Sequence, residues 1–193
     1  MIVLGIDPGT ATTGYGVVAY QAGREKLIEY GTITTPADME MAHRLLLINQ
    51  DLNELIQVFK PDAIAIEQIF FHKNSKTVIT VAQARGVAML TAARNGITLE
   101  EYTPLQIKQS VVGYGKAEKK QVQIMVQKIL AMPEIPRPDD AADALAVAIC
   151  HIHSHRMRKA FKSQPCFHKL RTYDLFPRKD GCYNDILFKR IPI

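Results

Sequence analysis

Cysteine is scarce in this sequence, and long apolar runs are missing altogether. The three cysteines (Cys150, Cys166 and Cys182) are too few and too widely spaced for a disulfide framework, as is typical of proteins in a reducing cytosol. No apolar run approaches the ~20 residues of a membrane-spanning helix, and the N-terminal stretch MIVLGIDPG has no basic region before its apolar residues. We therefore expect a cytoplasmic protein with no signal peptide and no contact with a membrane.

Acidic and basic side chains are distributed unevenly along the 193 residues. Residues 1–150 carry 14 Lys and Arg against 16 Asp and Glu, a net charge of −2, whereas residues 151–193 carry 10 against 3, a net charge of +7. We predict a domain at residues 1–156 and a basic tail at residues 157–193, which is poorly ordered or depends on a partner because it has no sustained hydrophobic period. The charge of the tail favours a polyanionic partner, although ordinary solvated charge explains it equally well.

Apolar periodicity predicts both strands and helices. Alternation predicts five strands, at Ile2–Asp7, Gly14–Tyr20, Lys26–Thr34, Ala63–Glu67 and Ile97–Tyr102. The first three form an antiparallel meander, and a helix over Ala37–Phe59 then crosses to a fourth strand that is parallel to the first. Further helices follow on both sides of the fifth strand. This order of elements indicates an α/β protein with an RNase H-like fold, a five-stranded mixed sheet with helices on both faces.

Two of the predicted strands end in a carboxylate. Asp7 shares a strand face with Gly5, and Glu67 shares a strand face with Ala65, so each acid lies on a side of its strand lined by small residues. A lone aspartate at a strand end often accepts hydrogen bonds from a turn, which is the plainer explanation for Asp7. Two acids at the carboxyl ends of parallel strands, however, lie where α/β sheets bind ligands.

Three more acids open an alanine-rich helix in the stretch PDDAADALA, and we expect that helix to end near His151. Capping explains Asp139 by itself, since aspartate is favoured at a helix N-terminus. Asp143 can share a helix face with either Asp139 or Asp140, so spacing alone does not choose its partner. Carboxylates this close repel one another unless a cation or a proton lies between them. The stretch therefore predicts that a helix carries acids into a metal site.

Two loop segments combine basic residues with features that suit nucleic acid. In QIFFHKNSK, an aromatic ring at Phe70 or Phe71 can stack on a base while Lys73 meets a phosphate, although one of the two rings is expected in the core. In GYGKAEKK, backbone N–H groups and Lys116 near a helix start can hold a phosphate. A solvated charged surface is an equally good explanation of the second segment.

Five stretches, taken in order, resemble the RuvC family of Holliday junction resolvases, the crossover junction endodeoxyribonucleases. They are GIDPGTATTGYGVV, AIEQIFFHKNSKT, QARGVA, IKQSVVGYGKAEKKQV and DDAADALAVAI, and the resemblance runs from Ile2 to about His153. It implies a homodimer that nicks two opposed strands of a four-way DNA junction during recombination and repair. It also implies an association with the branch-migration proteins of the same pathway.

The resemblance assigns roles to individual residues. It implies that the catalytic, metal-binding acids are Asp7, Glu67, Asp140 and Asp143, and it leaves Asp139 outside the set. It matches Phe70 to a base-stacking aromatic, and it matches Lys108 and Lys119 to basic residues near DNA. Four carboxylates suit two Mg²⁺ ions bridged by the scissile phosphate, one activating the attacking water and the other stabilising the leaving oxygen.

Two other functional classes are compatible with parts of the sequence. The stretch GIDPGTATTG also resembles the phosphate loop of the actin, Hsp70 and sugar-kinase ATPases, but those enzymes need two such lobes and 193 residues are too few. A non-catalytic scaffold that binds junctions would be expected to have lost acids, and all four are present. The sequence therefore favours the metal-dependent nuclease.

Overall fold

The described part of the computed structural model, residues 1–68 and 75–162, contains one five-stranded sheet and five helices. The strands are β1 (Ile2–Asp7), β2 (Thr12–Gln21), β3 (Arg24–Thr34), β4 (Ala63–Glu67) and β5 (Thr98–Tyr102). The helices are α1 (Met41–Phe59), α2 (Ser75–Arg94), α3 (Pro104–Val112), α4 (Lys119–Ile129) and α5 (Asp139–Lys162). Within these residues, none of the helices combines the length and apolar character needed to span a bilayer.

The strand order is β3-β2-β1-β4-β5, with β1 at the centre of the sheet. Strands β1, β2 and β3 pair antiparallel, whereas β4 pairs parallel to both β1 and β5. The predicted meander and parallel crossover are therefore confirmed. The register places Asp7 opposite Gly14 on one side, and it places Glu67 opposite Tyr102 on the other.

The helices form a layer on each face of the sheet because successive strand residues point to opposite faces. One face carries side chains such as Leu4 and Ile64, which pack against α1 and α2. The other carries Val3 and Ala65, which pack with α3, α4 and α5. Asp7 lies four residues after Val3, and Glu67 lies two residues after Ala65. Both acids therefore belong to the face covered by α5.

Glycines on β1 and β2 bring α5 unusually close to the sheet. A Cβ atom at Gly14 would collide with the carbonyl oxygen of Asp140, and one at Gly5 would collide with the carbonyl oxygen of Ala144. These two contacts join backbone to backbone, so at Gly5 and Gly14 no side chain separates the helix from the strands. The first turn of α5 is therefore held directly above the strand pair that contains Asp7.

Helix α5 is longer than the sequence pattern predicted. The expected end near His151 is wrong, because the helix continues to Lys162, and the predicted domain boundary at residue 156 falls inside it. Contacts with the sheet support the added turns: the guanidinium of Arg156 lies 4.7 Å from the ring centre of Tyr20, and that of Arg158 lies 3.3 Å from the Glu100 carboxylate. The rest of the predicted tail, residues 163–193, lies outside the described residues.

Candidate active site

Two carboxylates lie side by side where parallel strands β1 and β4 end. Asp7 is the last residue of β1, and Glu67 is the last residue of β4. Both side chains are partly buried on the face covered by α5. The structure therefore places the two strand-end acids together, as the alternation of the strands predicted.

The first turn of α5 adds two further acids at the same edge of the sheet. Asp140 lies directly over Gly14, which is the sheet partner of Asp7, and Asp143 follows one turn later with only 28% of its side chain exposed. Asp139 differs from both, since 64% of its side chain is exposed. The charges that raise the pKa of Asp7 are those of Asp143, Glu67 and Asp140, and Asp139 is not among them.

Burial and mutual repulsion raise the pKa values of three acids at this edge. Burial, followed by the charges of Asp143, Glu67 and Asp140, raises the pKa of Asp7 from 3.8 to about 7. Burial and Asp143 raise the pKa of Glu67 from 4.5 to about 6, and burial likewise raises the pKa of Asp143. Each shift means that the ionised form is disfavoured here. The cluster therefore favours binding of a proton or of a cation.

Lys119 supplies one positive charge to this cluster. It is the first residue of α4, whose start is fixed by a capping box between Glu118 and Gln121. Its Nζ atom lies 2.9 Å from Oδ2 of Asp143 and 3.4 Å from Oδ2 of Asp139. Burial lowers the pKa of the ammonium, but its hydrogen bond to Asp143 and the two carboxylate charges outweigh burial, so the pKa is raised.

This pairing is the feature that sequence reasoning missed. The motif GYGKAEKK suggested only that its lysines contact phosphate, and no spacing in it predicts a contact with an acid 24 residues further on. Lys119 therefore serves as a counter-ion to the acids in the structure. Its predicted contact with DNA stays a prediction.

The four carboxylates suit a hard divalent cation, but they are not arranged as a complete set of metal ligands. Four carboxylates supply only oxygen ligands, which Mg²⁺ prefers in proteins. The raised pKa values of Asp7, Glu67 and Asp143 indicate that the site has too little positive charge to balance its acids. Within residues 1–68 and 75–162, no group of three or more acidic, histidine or cysteine side chains is arranged to hold a metal ion as it stands. The chemistry of the residues therefore fits the metal, while Lys119 neutralises part of the charge.

A cavity of about 220 Å³ opens beside the acids. Its lining combines two acids and two lysines with an apolar wall: Glu67, Asp143, Lys108, Lys119, Pro104, Ile107, Val122, Ala146 and Val147. Lys108 lies on α3, whose first turn is fixed by a capping box between Thr103 and Gln106. The charge of Lys108 lowers the pKa of Glu67, so this lysine faces the site.

The remaining predicted contact residues are not part of this cluster. Lys116 is exposed in the loop between α3 and α4, and the structure does not bring it to the acids. Phe70 and Lys73 lie outside the described residues. For all three, the predicted contact with DNA stays a prediction.

Comparison with known proteins decides the family. The family model described as crossover junction endodeoxyribonuclease RuvC matches residues 3–151. The chain is 65% identical over 163 residues to the protein of that name from Syntrophomonas wolfei, covering 84% of this chain and 95% of the relative. The chain belongs to the RuvC family.

Solved structures of RuvC agree with this assignment. The Thermus thermophilus RuvC structure is 35% identical, with a TM-score of 0.76, and the match covers 82% of this chain and 97% of that one. T. thermophilus RuvC in complex with a Holliday junction substrate is 36% identical, with a TM-score of 0.78, and the match covers 82% and 96%. The predicted RNase H-like fold and the resemblance to the RuvC family are both confirmed.

Proposed function

We propose that this chain resolves four-way DNA junctions by paired nicks in opposed strands, through metal-dependent hydrolysis of the phosphodiester. The observation that carries the proposal is the convergence of acids from β1, β4 and α5 at one edge of the sheet in a member of the RuvC family. Such a convergence is what hydrolysis by two metal ions requires. The enzyme acts in DNA recombination and repair.

We assign the metal site to the four acids Asp7, Glu67, Asp140 and Asp143, with two Mg²⁺ ions per site. When bound, the metal lowers the pKa of the attacking water and stabilises the leaving oxygen. Lys119 and Lys108 border the same cavity, so their charges attract the negative phosphodiester towards the acids. Lys116, Lys73 and the ring of Phe70 are proposed as further contacts with the junction.

A homodimer is the assembly we propose, because paired nicks in two strands need two equivalent sites. Exposed apolar side chains on α2 support it: Ile79 and Leu90 are 62% and 55% exposed. Between them, the Cα of Gly86 faces open space, which permits close approach of a second helix. Association with branch-migration proteins completes the proposal and rests on the family. A location in the cytoplasm is proposed from the scarcity of cysteine.

Incubation with a synthetic four-way junction and Mg²⁺ tests the activity. The wild-type chain should nick two opposed strands, and Asp7→Asn, Glu67→Gln, Asp140→Asn and Asp143→Asn should each bind the junction without cutting it. Asp139→Asn is the matched control, since it makes the same chemical change one residue from Asp140 on an exposed side chain. Wild-type cleavage by any of the four variants would remove that residue from the site, and an inactive Asp139→Asn would show that the helix register is misassigned.

The dimer is tested separately by sedimentation of the Leu90→Glu variant. A buried charge at the centre of the interface should convert the dimer to a monomer and abolish paired nicking. Glu substitution at exposed Val58 of α1 provides a comparison outside α2. A dimer that persists in Leu90→Glu would place the interface elsewhere.

A further inference from the structure

The stretch QARGVA has no role so far in the chemistry of the site, although its arginine makes one of the shortest ion pairs among the described residues. A guanidinium nitrogen of Arg85, on α2, lies 2.7 Å from Oε2 of Glu101 on β5. The two side chains are 22% and 31% exposed, so the pair is largely withdrawn from water. It lies on the face of the sheet opposite α5.

Stability alone is a poor reason to keep this ion pair. Removing two charges from water is costly, and apolar replacement of both partners of such a pair is often neutral or stabilising. Arg85 bears an additional cost, because its Nε atom is buried without a hydrogen-bond partner in the described part of the chain. The ion pair is therefore better explained by the structure that it holds in place than by a contribution to stability.

The carboxylate of Glu101 links Arg85 to the residue that follows Glu67. The side-chain amide of Gln68 donates to the same Oε2 atom at 3.4 Å, a long hydrogen bond. The backbone N–H of Gln68 donates to the carbonyl oxygen of Tyr102 at 2.8 Å, and Tyr102 is the sheet partner of Glu67. Arg85 therefore fixes, through Glu101, the end of the strand that presents Glu67.

We propose that Arg85 is a positioning residue for the divalent-metal site: it holds Glu101, which holds Gln68 and with it the end of β4. This inference rests on the proposed function, since Glu67 has to be a metal ligand for its position to matter. Groups bonded directly to metal ligands typically contribute about 10- to 100-fold to metal affinity or activity. Arg85 acts through Glu101 and Gln68, so we expect an effect at the lower end of that range. Arg85 makes no contact with the metal or the substrate in this proposal.

Binding of Mn²⁺ to the full chain without DNA, followed by electron paramagnetic resonance, tests the proposal apart from cleavage. Arg85→Met should weaken Mn²⁺ binding by about tenfold. Arg94→Met is the matched control, because it removes the same charge from an exposed position on the same helix. It should leave Mn²⁺ affinity within about twofold of the wild type.

A double-mutant cycle shows whether Arg85 acts through Glu101. Glu101→Gln should weaken Mn²⁺ binding like Arg85→Met, and the double variant should bind no more weakly than either single variant, since both remove one linkage. Arg85→Lys should be intermediate, because lysine keeps the charge but lacks the planar fork of arginine. If Arg85→Met does not fold, Glu101→Gln and Arg85→Lys decide the question by themselves.

Unchanged Mn²⁺ affinity in a folded Arg85→Met or Glu101→Gln variant would overturn the proposal, and so would additive losses in the double variant. Thermal unfolding in EDTA should change least in the double variant, because each single variant leaves one charge of the pair without its partner. Mn²⁺ affinities are therefore compared at a temperature at which every variant is folded. The Glu67→Gln variant separates this proposal from the proposed function. If Glu67→Gln binds Mn²⁺ as tightly as the wild type, then the metal site itself is misassigned; if only the Arg85 variants do so, the positioning role alone fails.

Discussion

The substitution Asp7→Asn should stabilise the metal-free protein while it abolishes the proposed activity. Asp7 is partly buried beside three other carboxylates, so its ionised form is disfavoured in the folded state. In the unfolded chain the same carboxyl ionises freely. Asparagine keeps the shape of the side chain and removes the charge, and folding then no longer has to bury that charge.

The magnitude follows from the pKa shift. The pKa of Asp7 rises from 3.8 to about 7. At about 1.4 kcal/mol per pKa unit, this rise lowers the free energy of unfolding by roughly 4 kcal/mol once the group is fully ionised. Because the folded pKa is the higher of the two, the penalty is absent below about pH 4 and grows as the pH rises. It is complete above about pH 7.

Thermal unfolding in EDTA, measured between pH 4 and pH 8, is the appropriate assay. At pH 8 we expect Asp7→Asn to raise the melting temperature by roughly 10 °C, since 1 kcal/mol is worth about 2–4 °C in a domain of this size. Near pH 4 the variant and the wild type should melt together. Excess Mg²⁺ should stabilise the wild type much more than Asp7→Asn, because a bound cation relieves the same repulsion.

Asp139→Asn is the control, because its carboxylate is exposed and its pKa is lowered by Gln123 and Lys119. It should not stabilise the protein at any pH in this range. Equal melting temperatures for the wild type and Asp7→Asn at pH 8 would refute the reasoning, and so would a stabilisation that does not depend on pH. Either result would mean that burial and the neighbouring acids do not disfavour the ionised form of Asp7 in the folded state.

Three further predictions concern other parts of the molecule. Tyr102→Phe removes the hydroxyl that lies 3.0 Å from Nδ1 of buried His151, so chemical denaturation should show a loss of about 1–3 kcal/mol. Lys119→Met should raise the pKa of Glu67 above about 6 in an NMR titration in EDTA, because the ammonium charge now lowers it. Removal of residues 163–193, which carry six Lys and Arg against three Asp, should weaken junction binding. It should also flatten the salt dependence of binding by about 0.9 for each phosphate that the shortened chain no longer neutralises. Unfolding of the truncated chain, or dissociation of the proposed dimer, seen by sedimentation, would instead show that the segment packs on the protein.

Local patterns were sufficient to predict most of the fold. Strands β1 and β4 have the predicted bounds, because each is a short apolar run that ends at an acid. Helix α5 was predicted too short because its last turns have no apolar stripe: Met157 and Phe161 are exposed, and basic side chains lie between them. Contacts with β3 and β5 extend this helix, and such contacts between distant segments have no signature in a single sequence.

The sequence predicted the acids of the candidate site, but it did not predict the ion pairs around them. Alternation along the strands placed Asp7 and Glu67 on one face, but helix periodicity left Asp139 and Asp140 equivalent until burial separated them. The ion pairs of Lys119 and Arg85 join residues far apart in the chain. Their partners depend on how α4 and α2 lie against the sheet, which no spacing in the sequence determines.

Because of the glycine contacts beneath α5, the site should tolerate smaller side chains better than larger ones. Helix and strands meet there through backbone atoms, so the height of the α5 acids above the strand-end acids does not depend on any side-chain rotamer. Trimming the larger side chains around this contact leaves that height as it is. A single added methyl group at Gly5 or Gly14 has no side chain to displace and has to lift the helix. We therefore expect the geometry of the site to tolerate smaller residues around this contact, but not larger residues at Gly5 or Gly14.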